Sequence, residues 1–468
     1  MSALTVDERL APSITGAPVL VGARPQAAPR TWAEKRLARR EQLFPGIPDR
    51  AFDEAALRVG SIYGGVLIND PAGIKRVLVD EAANYPKTDL EKRFFSALFG
   101  TGLVGSDGDL WRRHRRIMAP SFDPRSVAAY GPAICESAGA ALARWNALGE
   151  GGRIDACQEM VDLTLHIICR TMFSTDSEEM LGHMSASLRD GLDGVGEGSI
   201  LDLLPVIAEL RMRAREKRIA RGFAPLDGAI AKLIARREAN SEDFPADLLS
   251  RLVASKDSDT GLSMTAQEVR DEVITIFFAG HETTAMTLGW LWYLLSQHPH
   301  EGARLHAELD RVLGGRPPAQ EDLPALKFTR QVVEEALRLY PAAPGLSTRR
   351  ALKADELAGL RIKKGETIFI SPWIVHRNTR LWEDPERFDP DRFSPERSQG
   401  RPRFAFLPFG GGPRVCIGQV LAMNEAVLIM ASLAQHWRAE LASDAEVALK
   451  HNVTLQPRHG LPMILRRR

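Results

Sequence analysis

The feature that most constrains this fold is a run of about 30 residues with helical periodicity, "TAQEVRDEVITIFFAGHETTAMTLGWLWYLLSQHP". Thr265 followed by Glu268 is typical of a capping-box start, and Pro299 ends the pattern. A helix of this length extends roughly 45 Å at about 1.5 Å per residue, enough to cross a large domain. We therefore expect a fold built around this helix.

Composition excludes several classes of protein. The chain has 468 residues, of which 44% are hydrophobic, and a net charge of +1, so it has no general attraction to nucleic acid or to an anionic membrane. Four cysteines without a CxxC pair argue against a disulfide framework or structural zinc. The N-terminal residues lack a signal-peptide pattern, and no apolar run reaches the length of a membrane span. We expect a soluble, cytoplasmic monomer without a membrane anchor.

The pattern along the chain predicts one large domain. Residues 1–50 are predicted to form an extended N-terminal lead-in, and residues 51–468 a single domain. Helical patterns dominate from about 105 to 340, whereas "GLRI", a Lys363–Gly365 turn and "TIFIS" predict a β-hairpin. The fold class is therefore mainly α with a small β-rich part.

The middle of the long helix has an unusual composition. Within "AGHETT", Gly280, Glu282, Thr283 and Thr284 interrupt an apolar stretch. Glycine and threonine are typical of tight helix packing, but an acid beside an alcohol can also relay protons to a small molecule. One face of the helix contains Ile276, Ala279, Gly280, Thr283 and Thr287.

A second unusual segment is "FLPFGGGPRVCIGQVLAMNEAVLIM", in which glycines lead to Cys416 just before an apolar-periodic helix. The free N–H groups of a helix N-terminus stabilise a thiolate. The cysteine is then a nucleophile, a redox thiol or a metal ligand; the alternative is a buried cysteine in a tight turn.

Two shorter patterns have both a structural and a functional interpretation. Glu335 and Arg338 are three residues apart on a helix that stops before Pro341, so they can pair, most simply on a solvated face. Trp111 and Arg115 lie one turn apart in "GSDGDLWRRHRRIMAPSF". They form either a basic surface helix or an indole N–H and a guanidinium directed at a carboxylate.

Taken together, these segments resemble the cytochrome P-450 monooxygenases over about residues 50–468. The cysteine segment has the family's spacing of Phe, Gly, Cys and Gly. The other motifs are its oxygen-activating helix, its Glu-x-x-Arg, its loop "HRNTRLWEDPERFDPDRF" and its heme-propionate helix. The matching residues are Phe409, Gly412, Cys416 and Gly418; Ala279 to Thr283; Glu335 and Arg338; His376, Arg377, Trp382, Pro385, Phe388, Pro390, Arg392 and Phe393 of the loop; and Trp111 and Arg115.

The resemblance implies a heme b cofactor, iron protoporphyrin IX, with Cys416 thiolate as the axial ligand of the iron. Phe409, Gly410 and Gly418 would lie against the heme on the thiolate side, and Ala279 and Gly280 on the opposite side. The predicted propionate partners are Trp111, Arg115, Arg414 and either Arg349 or the neighbouring Arg350.

The resemblance also implies other residue roles. Glu282 and Thr283 would guide the protons that the reaction consumes, whereas His281 would face solvent or a neighbouring helix and not bind iron. Glu335, Arg338 and Arg392 would form a buried structural triad under the heme loop.

The implied reaction inserts one atom of O₂ into a substrate C–H or C=C bond and converts the other to water. No dinucleotide motif is present, and few residues follow Cys416, so the electrons are expected from an external ferredoxin or flavodoxin with its NAD(P)H reductase. A peroxide-driven peroxygenase and a heme-based gas sensor are the alternatives. No nucleic-acid partner is expected.

The substrate is expected to be a small apolar or amphipathic molecule. The residues predicted to line its pocket, with segment 87–102 as a lid, are Phe277, Phe278, Ala279, Leu346, Ser347, Val453 and Thr454. Arginines near Trp111 and before the cysteine segment are predicted to form a docking surface for the electron donor: Arg112, Arg113, Arg116, Arg401 and Arg403.

Overall fold

The computed structural model describes residues 20–22, 43–44, 47–60, 64–174, 182, 205–239, 247–346, 348–451 and 453–468. Most of the predicted lead-in lies outside them. The helices in these ranges are α1 (Pro71–Lys75), α2 (Asp89–Phe99), α3 (Gly108–Met118), α4 (Pro124–Ala129), α5 (Gly131–Leu148), α6 (Ala156–Met172), α7 (Pro205–Ala239), α8 (Leu248–Ala254), α9 (Ala266–Gln297), α10 (Pro299–Leu313), α11 (Lys327–Leu339), α12 (Pro372–Val375), α13 (Pro395–Ser398) and α14 (Gln419–Ala434).

The β structure is small, and the mainly α fold is confirmed. The strands are β1 (Ala56–Val59), β2 (Gly65–Ile68), β3 (Arg153–Asp155), β4 (Arg349–Arg350), β5 (Asp355–Leu357), β6 (Leu360–Ile362), β7 (Thr367–Phe369), β8 (Trp437–Leu441), β9 (Leu449–His451), β10 (Leu455–Pro457) and β11 (Pro462–Arg467). They form a four-stranded sheet in the order β1-β2-β7-β4, a three-stranded sheet β3-β11-β8, and the pairs β9-β10 and β5-β6.

The predicted hairpin between "GLRI" and "TIFIS" is wrong. β6 pairs with β5, whereas β7 pairs in parallel with β2 and antiparallel with β4. A tighter turn precedes β6, where Ala358 and Gly359 both have positive φ values, 48° and 79°, as a two-residue hairpin turn requires. Since β6 is already paired, β7 joins the larger sheet.

The predicted central helix is confirmed as α9, 32 residues long. The side chain of Thr265 accepts from the Glu268 N–H at 3.2 Å, and the Glu268 carboxylate accepts from the Thr265 N–H at 2.8 Å. Two glycines allow α6 to approach closely. A Cβ on Gly280 would lie 2.7 Å from Ile168, and one on Gly289 would lie 2.5 Å from the Cys157 sulfur. Packing against α6 therefore fixes one side of α9.

A buried ion pair joins α11 to the loop that precedes the cysteine segment. Arg338 donates to both oxygens of Glu335, at 2.7 and 2.8 Å, and both side chains are fully buried. Its other bonds go to the carbonyls of His376, Pro385 and Arg387, at 2.6 to 2.9 Å. Arg392 Nε lies 3.4 Å from Glu335.

His376 connects this pair to the cysteine segment. Its Nε2 accepts from the Leu407 N–H at 3.0 Å, so its Nδ1 carries the proton and donates to the Arg338 carbonyl at 3.2 Å. Burial and the charge of Arg338 lower the pKa of His376 far below its usual value, which keeps the ring neutral. The interactions of α11 thus extend to the residues before Cys416.

We expect Arg338→Leu to destabilise the protein by roughly 3–5 kcal/mol, because it leaves Glu335 as a buried charge without its main partner. Urea unfolding measures the effect. Arg330→Leu on the same helix is the matched control, since Arg330 is half exposed and pairs with Glu334 at 3.2 Å; its loss should stay within about 1 kcal/mol. Equal stability losses in the two variants would contradict this prediction.

Candidate active site

A cavity of about 390 Å³ lies between α9 and the cysteine segment. The predicted face of α9 forms one wall, with Ile276, Ala279, Gly280, Thr283 and Thr287. The opposite wall contains Phe409, Gly410, Gly411, Cys416 and Gly418. The structure therefore brings together two segments that are more than a hundred residues apart in the sequence.

Cys416 precedes the N-terminus of α14, as predicted, with Gly418 as the N-cap. The Cys416 N–H donates to the Phe409 carbonyl at 2.9 Å, which closes the loop. The thiol is accessible and lines the cavity, while protein surrounds it on its other sides. Burial raises its pKa, whereas the Gly418 N–H and the charge of Arg115 lower it. A cation bound to the sulfur would favour the thiolate further.

The glycines before Cys416 serve different purposes. Gly410 has a φ of 71°, lines the cavity and has no atom nearer than 3.9 Å to an added Cβ, so it leaves room for a flat ligand. Gly412 has a φ of 69°, but its Cβ would lie 2.0 Å from the Leu78 carbonyl oxygen. Gly412 therefore allows close packing of two backbone segments and does not line the cavity.

Trp111, Arg115, Arg349 and Arg414 all line the cavity. The Arg414 guanidinium lies 4.3 Å from the centre of the Trp111 ring and pairs with Asp107. Arg349 is buried, whereas the side chain of Arg350 is 53% exposed and lies 4.0 Å from Asp89. Of the two arginines left open by the sequence, Arg349 is the one at the cavity.

Positive charge exceeds negative charge around these residues. Burial lowers the pKa of Arg115, Arg349 and Arg414. It also lowers the pKa of Lys87, a further lining residue, to about 8. The carboxylates that act on this group are Glu91 and Asp107. Four cations and two carboxylates leave an excess that matches a ligand with two carboxylates, such as a porphyrin with two propionates.

The sequence places Lys87 in the predicted lid, segment 87–102, but does not identify it as a cation of the site. It lies in no motif, and it reaches the cavity because it forms an isolated antiparallel bridge with Arg349. Its side chain donates to the Val104 carbonyl. Only the pairing of these distant segments would have identified it.

Three hydroxyl groups on the α9 wall bond to their own helix. Thr283 donates to the Ala279 carbonyl at 2.7 Å, Thr284 to Gly280 at 3.2 Å, and Thr287 to Thr283 at 2.8 Å. Such bonds leave the oxygen lone pairs able to accept from a ligand or water in the cavity. Thr283 thus places a hydroxyl group at the cavity wall formed by α9.

Glu282 lies outside the cavity lining, although Thr283 lines it. Its carboxylate is buried and accepts from Thr454 Oγ1 at 3.0 Å and from Gln456 Nε2. Burial raises the pKa of Glu282 to about 7, although both donors favour the charged form. Of the two residues in the predicted relay, Thr283 therefore lines the cavity, whereas the Glu282 carboxylate contacts Thr454 and Gln456 outside the cavity lining.

His281 faces the neighbouring-helix side, as the sequence predicted. The ring is buried and its Nδ1–H donates to the Phe277 carbonyl. The His281 carbonyl accepts from Thr164 of α6 at 3.0 Å. Burial lowers the pKa of the ring to about 4, and His281 does not line the cavity.

Several predicted pocket residues need correction. Phe277 stacks on Phe173 with ring centres 4.1 Å apart, and Phe278 lies 5.0 Å from Phe99, because these α9 positions face the core. Thr454 bonds to Glu282, and Val453 packs against the core.

Leu346 does line the cavity, and Ser347 lies outside the described residues. The apolar lining also includes Phe95, Leu103, Val104 and Ile168; Lys87, Glu91 and Phe95 come from the predicted lid.

The predicted arginine surface is smaller than expected. Arg113 pairs with Glu268 and its side chain is only 16% exposed, and Arg116 bonds to Asp257 at 2.7 Å. Arg401 lies over the Trp382 ring at 4.5 Å. The two exposed members are Arg112, 59% exposed, and Arg403.

The sequence model of the cytochrome P450 family matches residues 57–461. The chain belongs to the cytochrome P450 family. Solved P450 structures agree: the crystal structure of the cytochrome P450DA heme domain covers 88% of this chain and 90% of its own, with 26% identity and a TM-score of 0.75. This P450 is a monooxygenase, as its named relatives are.

Bacterial relatives of this P450 cover most of its length. Cyclooctatin synthase of Streptomyces melanosporofaciens is 38% identical over 79% of either chain, and cyclooctat-9-en-7-ol 5-monooxygenase of the same organism is 37% identical over 73% of either chain. Pentalenene oxygenase of Streptomyces avermitilis is 34% identical over 92% of this chain and 93% of its own. Among the described residues of this P450, no helix combines the length and apolarity needed to cross a membrane.

We expect Gly412→Ala to destabilise the protein more than Gly314→Ala. Both glycines have positive φ, so each variant has a backbone strain of about 1–3 kcal/mol. A Cβ at Gly314 has no atom within 4 Å, whereas one at Gly412 collides with the Leu78 backbone. Urea unfolding measures the difference, and equal losses in the two variants would show that the contact with Leu78 is unimportant.

Proposed function

We propose that this P450 oxygenates a cyclic, unsaturated apolar compound, with heme b bound through Cys416. The observation that carries the proposal is the position of Cys416 across the cavity from Ala279, Gly280 and Thr283. The names of the relatives support the substrate class, since they denote oxidation of pentalenene and of cyclooctat-9-en-7-ol. The apolar side chains that line the cavity include Phe95, Leu103, Val104, Ile168, Ile276 and Leu346.

The residues present fit heme. Cys416 would ligate the iron, Gly410 and Gly418 would leave room for the ring, and Phe409 would pack beside it. Trp111, Arg115, Arg349, Arg414 and Lys87 would bind the propionates, and the excess positive charge of this group suits two carboxylates. When bound, thiolate-ligated heme supplies the activation of O₂.

The chain's own residues would control the protons. Thr283 lines the cavity, and its hydroxyl proton is donated to the Ala279 carbonyl. By rotating away from this carbonyl, the hydroxyl can accept one proton from the cavity side as it passes on its own. Glu282, with a pKa near 7, can take up and release a proton at neutral pH. The apolar wall would exclude water from the substrate and so limit unproductive proton transfer.

Electrons would come from an external ferredoxin or flavodoxin with its reductase. Arg112 lies on α3, the helix that also contributes Trp111 and Arg115 to the cavity. It is 59% exposed and pairs with the exposed Asp109 of the same helix, so an acidic partner would bind by replacing Asp109 at the guanidinium. We further propose a monomer whose residues 51–468 form one domain and which acts in the cytoplasm. Its four free cysteines suit a reducing compartment.

We expect Cys416→His to move the absorption maximum of the reduced, CO-treated protein from a strongly red-shifted to a globin-like position, because imidazole replaces thiolate, and to abolish oxygenation. Cys135→Ser is the control and should retain both properties, since Cys135 lies on α5 away from the cavity lining. An unchanged spectrum in Cys416→His would refute the ligand assignment.

We expect Thr283→Ala to keep consuming NAD(P)H with a ferredoxin system while product per NAD(P)H falls and peroxide rises. Loss of a proton-transfer group costs about 10²-fold or more in the assisted step. Thr171→Ala on α6 is the control, since its hydroxyl makes the same kind of helix bond, to the Ile167 carbonyl at 2.8 Å, but does not line the cavity. Unchanged coupling in Thr283→Ala, or an equal loss in the control, would place the relay elsewhere. If the parent protein forms product with H₂O₂ alone as fast as with NAD(P)H and the ferredoxin system, that result would favour a peroxygenase.

We expect Arg112→Glu to slow reduction by ferredoxin at low salt but not by dithionite. The difference should shrink as salt rises, because the Debye length is about 8 Å at 0.15 M. Arg311→Glu provides the control, as Arg311 is 70% exposed on α10. Identical ferredoxin rates for Arg112→Glu and the parent protein would exclude this surface.

A further inference from the structure

The carboxylate of Glu282 accepts hydrogen bonds from two side chains of the C-terminal hairpin, which consists of β9, β10 and the turn between them. Thr454 Oγ1 donates to Glu282 Oε1 at 3.0 Å, and Gln456 Nε2 donates to the same oxygen. Gln456 Nε2 also donates to Thr454 Oγ1 at 3.0 Å, so the three groups form a closed set of bonds. The other oxygen, Glu282 Oε2, is buried and has no hydrogen-bond partner in the described structure.

The backbone between the two donors is anchored twice. The Leu455 carbonyl accepts from Trp290 Nε1 at 3.0 Å, about two turns further along α9 than Glu282. The Leu455 N–H donates to the Ala342 carbonyl at 3.0 Å, and Ala342 lines the cavity. Leu455 is fully buried and Thr454 nearly so. Thr454 and Gln456 are therefore fixed relative to α9 and to the cavity wall.

We propose that Thr454 and Gln456 are positioning residues that set the orientation and the protonation of Glu282. This inference rests on the proposed proton-transfer role of Glu282. Because Oε1 accepts both bonds, it is the less available oxygen, and a proton taken up by Glu282 binds to Oε2. The two donors thus select the oxygen through which Glu282 exchanges protons.

The electrostatic surroundings of Glu282 support this role. Lys450, on β9 of the same hairpin, is the charged side chain that acts on Glu282, and it favours the carboxylate as the two donors do. The adjacent His281 is neutral at physiological pH, since burial lowers its pKa to about 4. Removing the donors takes away stabilisation of the charged form, so the protonated form must persist to higher pH.

The test is infrared difference spectroscopy of the heme-loaded protein during a pH titration. The carboxyl band lost in Glu282→Gln identifies the signal of Glu282. Thr454→Val and Gln456→Met remove a donor with little change in size, and each should raise the pH midpoint of this band by about one unit. Thr454→Ser keeps the hydroxyl and should keep the parent midpoint. The pH profile of product per NAD(P)H should move in the same direction.

A midpoint that stays unchanged in both Thr454→Val and Gln456→Met would overturn the inference, as would a Thr454→Ser midpoint that matches Thr454→Val. If Thr454→Val does not fold, Gln456→Met decides, because Gln456 is only partly buried. Failure of the proposed function gives a different result. Unchanged coupling in Glu282→Gln would refute the role of Glu282 in proton transfer, while shifted midpoints would still support the positioning role.

Discussion

The buried guanidinium of Arg338 is the constraint on which the active site depends. Removing a charge from water is costly unless every donor finds a partner. Arg338 bonds to the Glu335 carboxylate on its own helix and to three carbonyls, between residues 376 and 387, of the loop that precedes the cysteine segment. These bonds are satisfied together only when the loop has its native path. Through His376 that path continues to Leu407, so the position of Cys416 opposite α9 depends on charge satisfaction as much as on apolar packing.

The cavity combines two environments that suit different parts of one ligand. Its cationic edge, with Lys87, Arg115, Arg349 and Arg414, suits an anionic group, whereas the α9 side is apolar except for threonine hydroxyls. Those hydroxyls bond to their own helix, which reduces the energetic cost of placing them in an apolar wall. An anionic ligand group at the edge and an apolar molecule beside α9 are therefore compatible within one cavity.

Local spacing allowed the sequence to predict much of this arrangement. The capping box at Thr265, the lining face of α9 and the place of Cys416 before a helix all follow from residues close in sequence. Predictions that depended on tertiary packing were less successful. Phe277 and Phe278 are apolar residues next to the lining face, and only their contacts with Phe173 and Phe99 show that they belong to the core. Lys87 reaches the cavity through its bridge with Arg349, and Gln456 reaches Glu282 because its local hairpin packs against α9. Both contacts join segments that are distant in sequence, so no local pattern reveals them.

The double anchorage of Leu455 has a consequence for how such an enzyme changes during evolution. The same residue is bonded to the cavity wall at Ala342 and lies between the two side chains that hold Glu282. Substitutions near this point that reshape the pocket for a new substrate also displace the donors to the acid. With the proposed role of Glu282, substrate choice and the fraction of reducing power that ends in product would change together, and a new specificity would require compensating changes in β9 and β10.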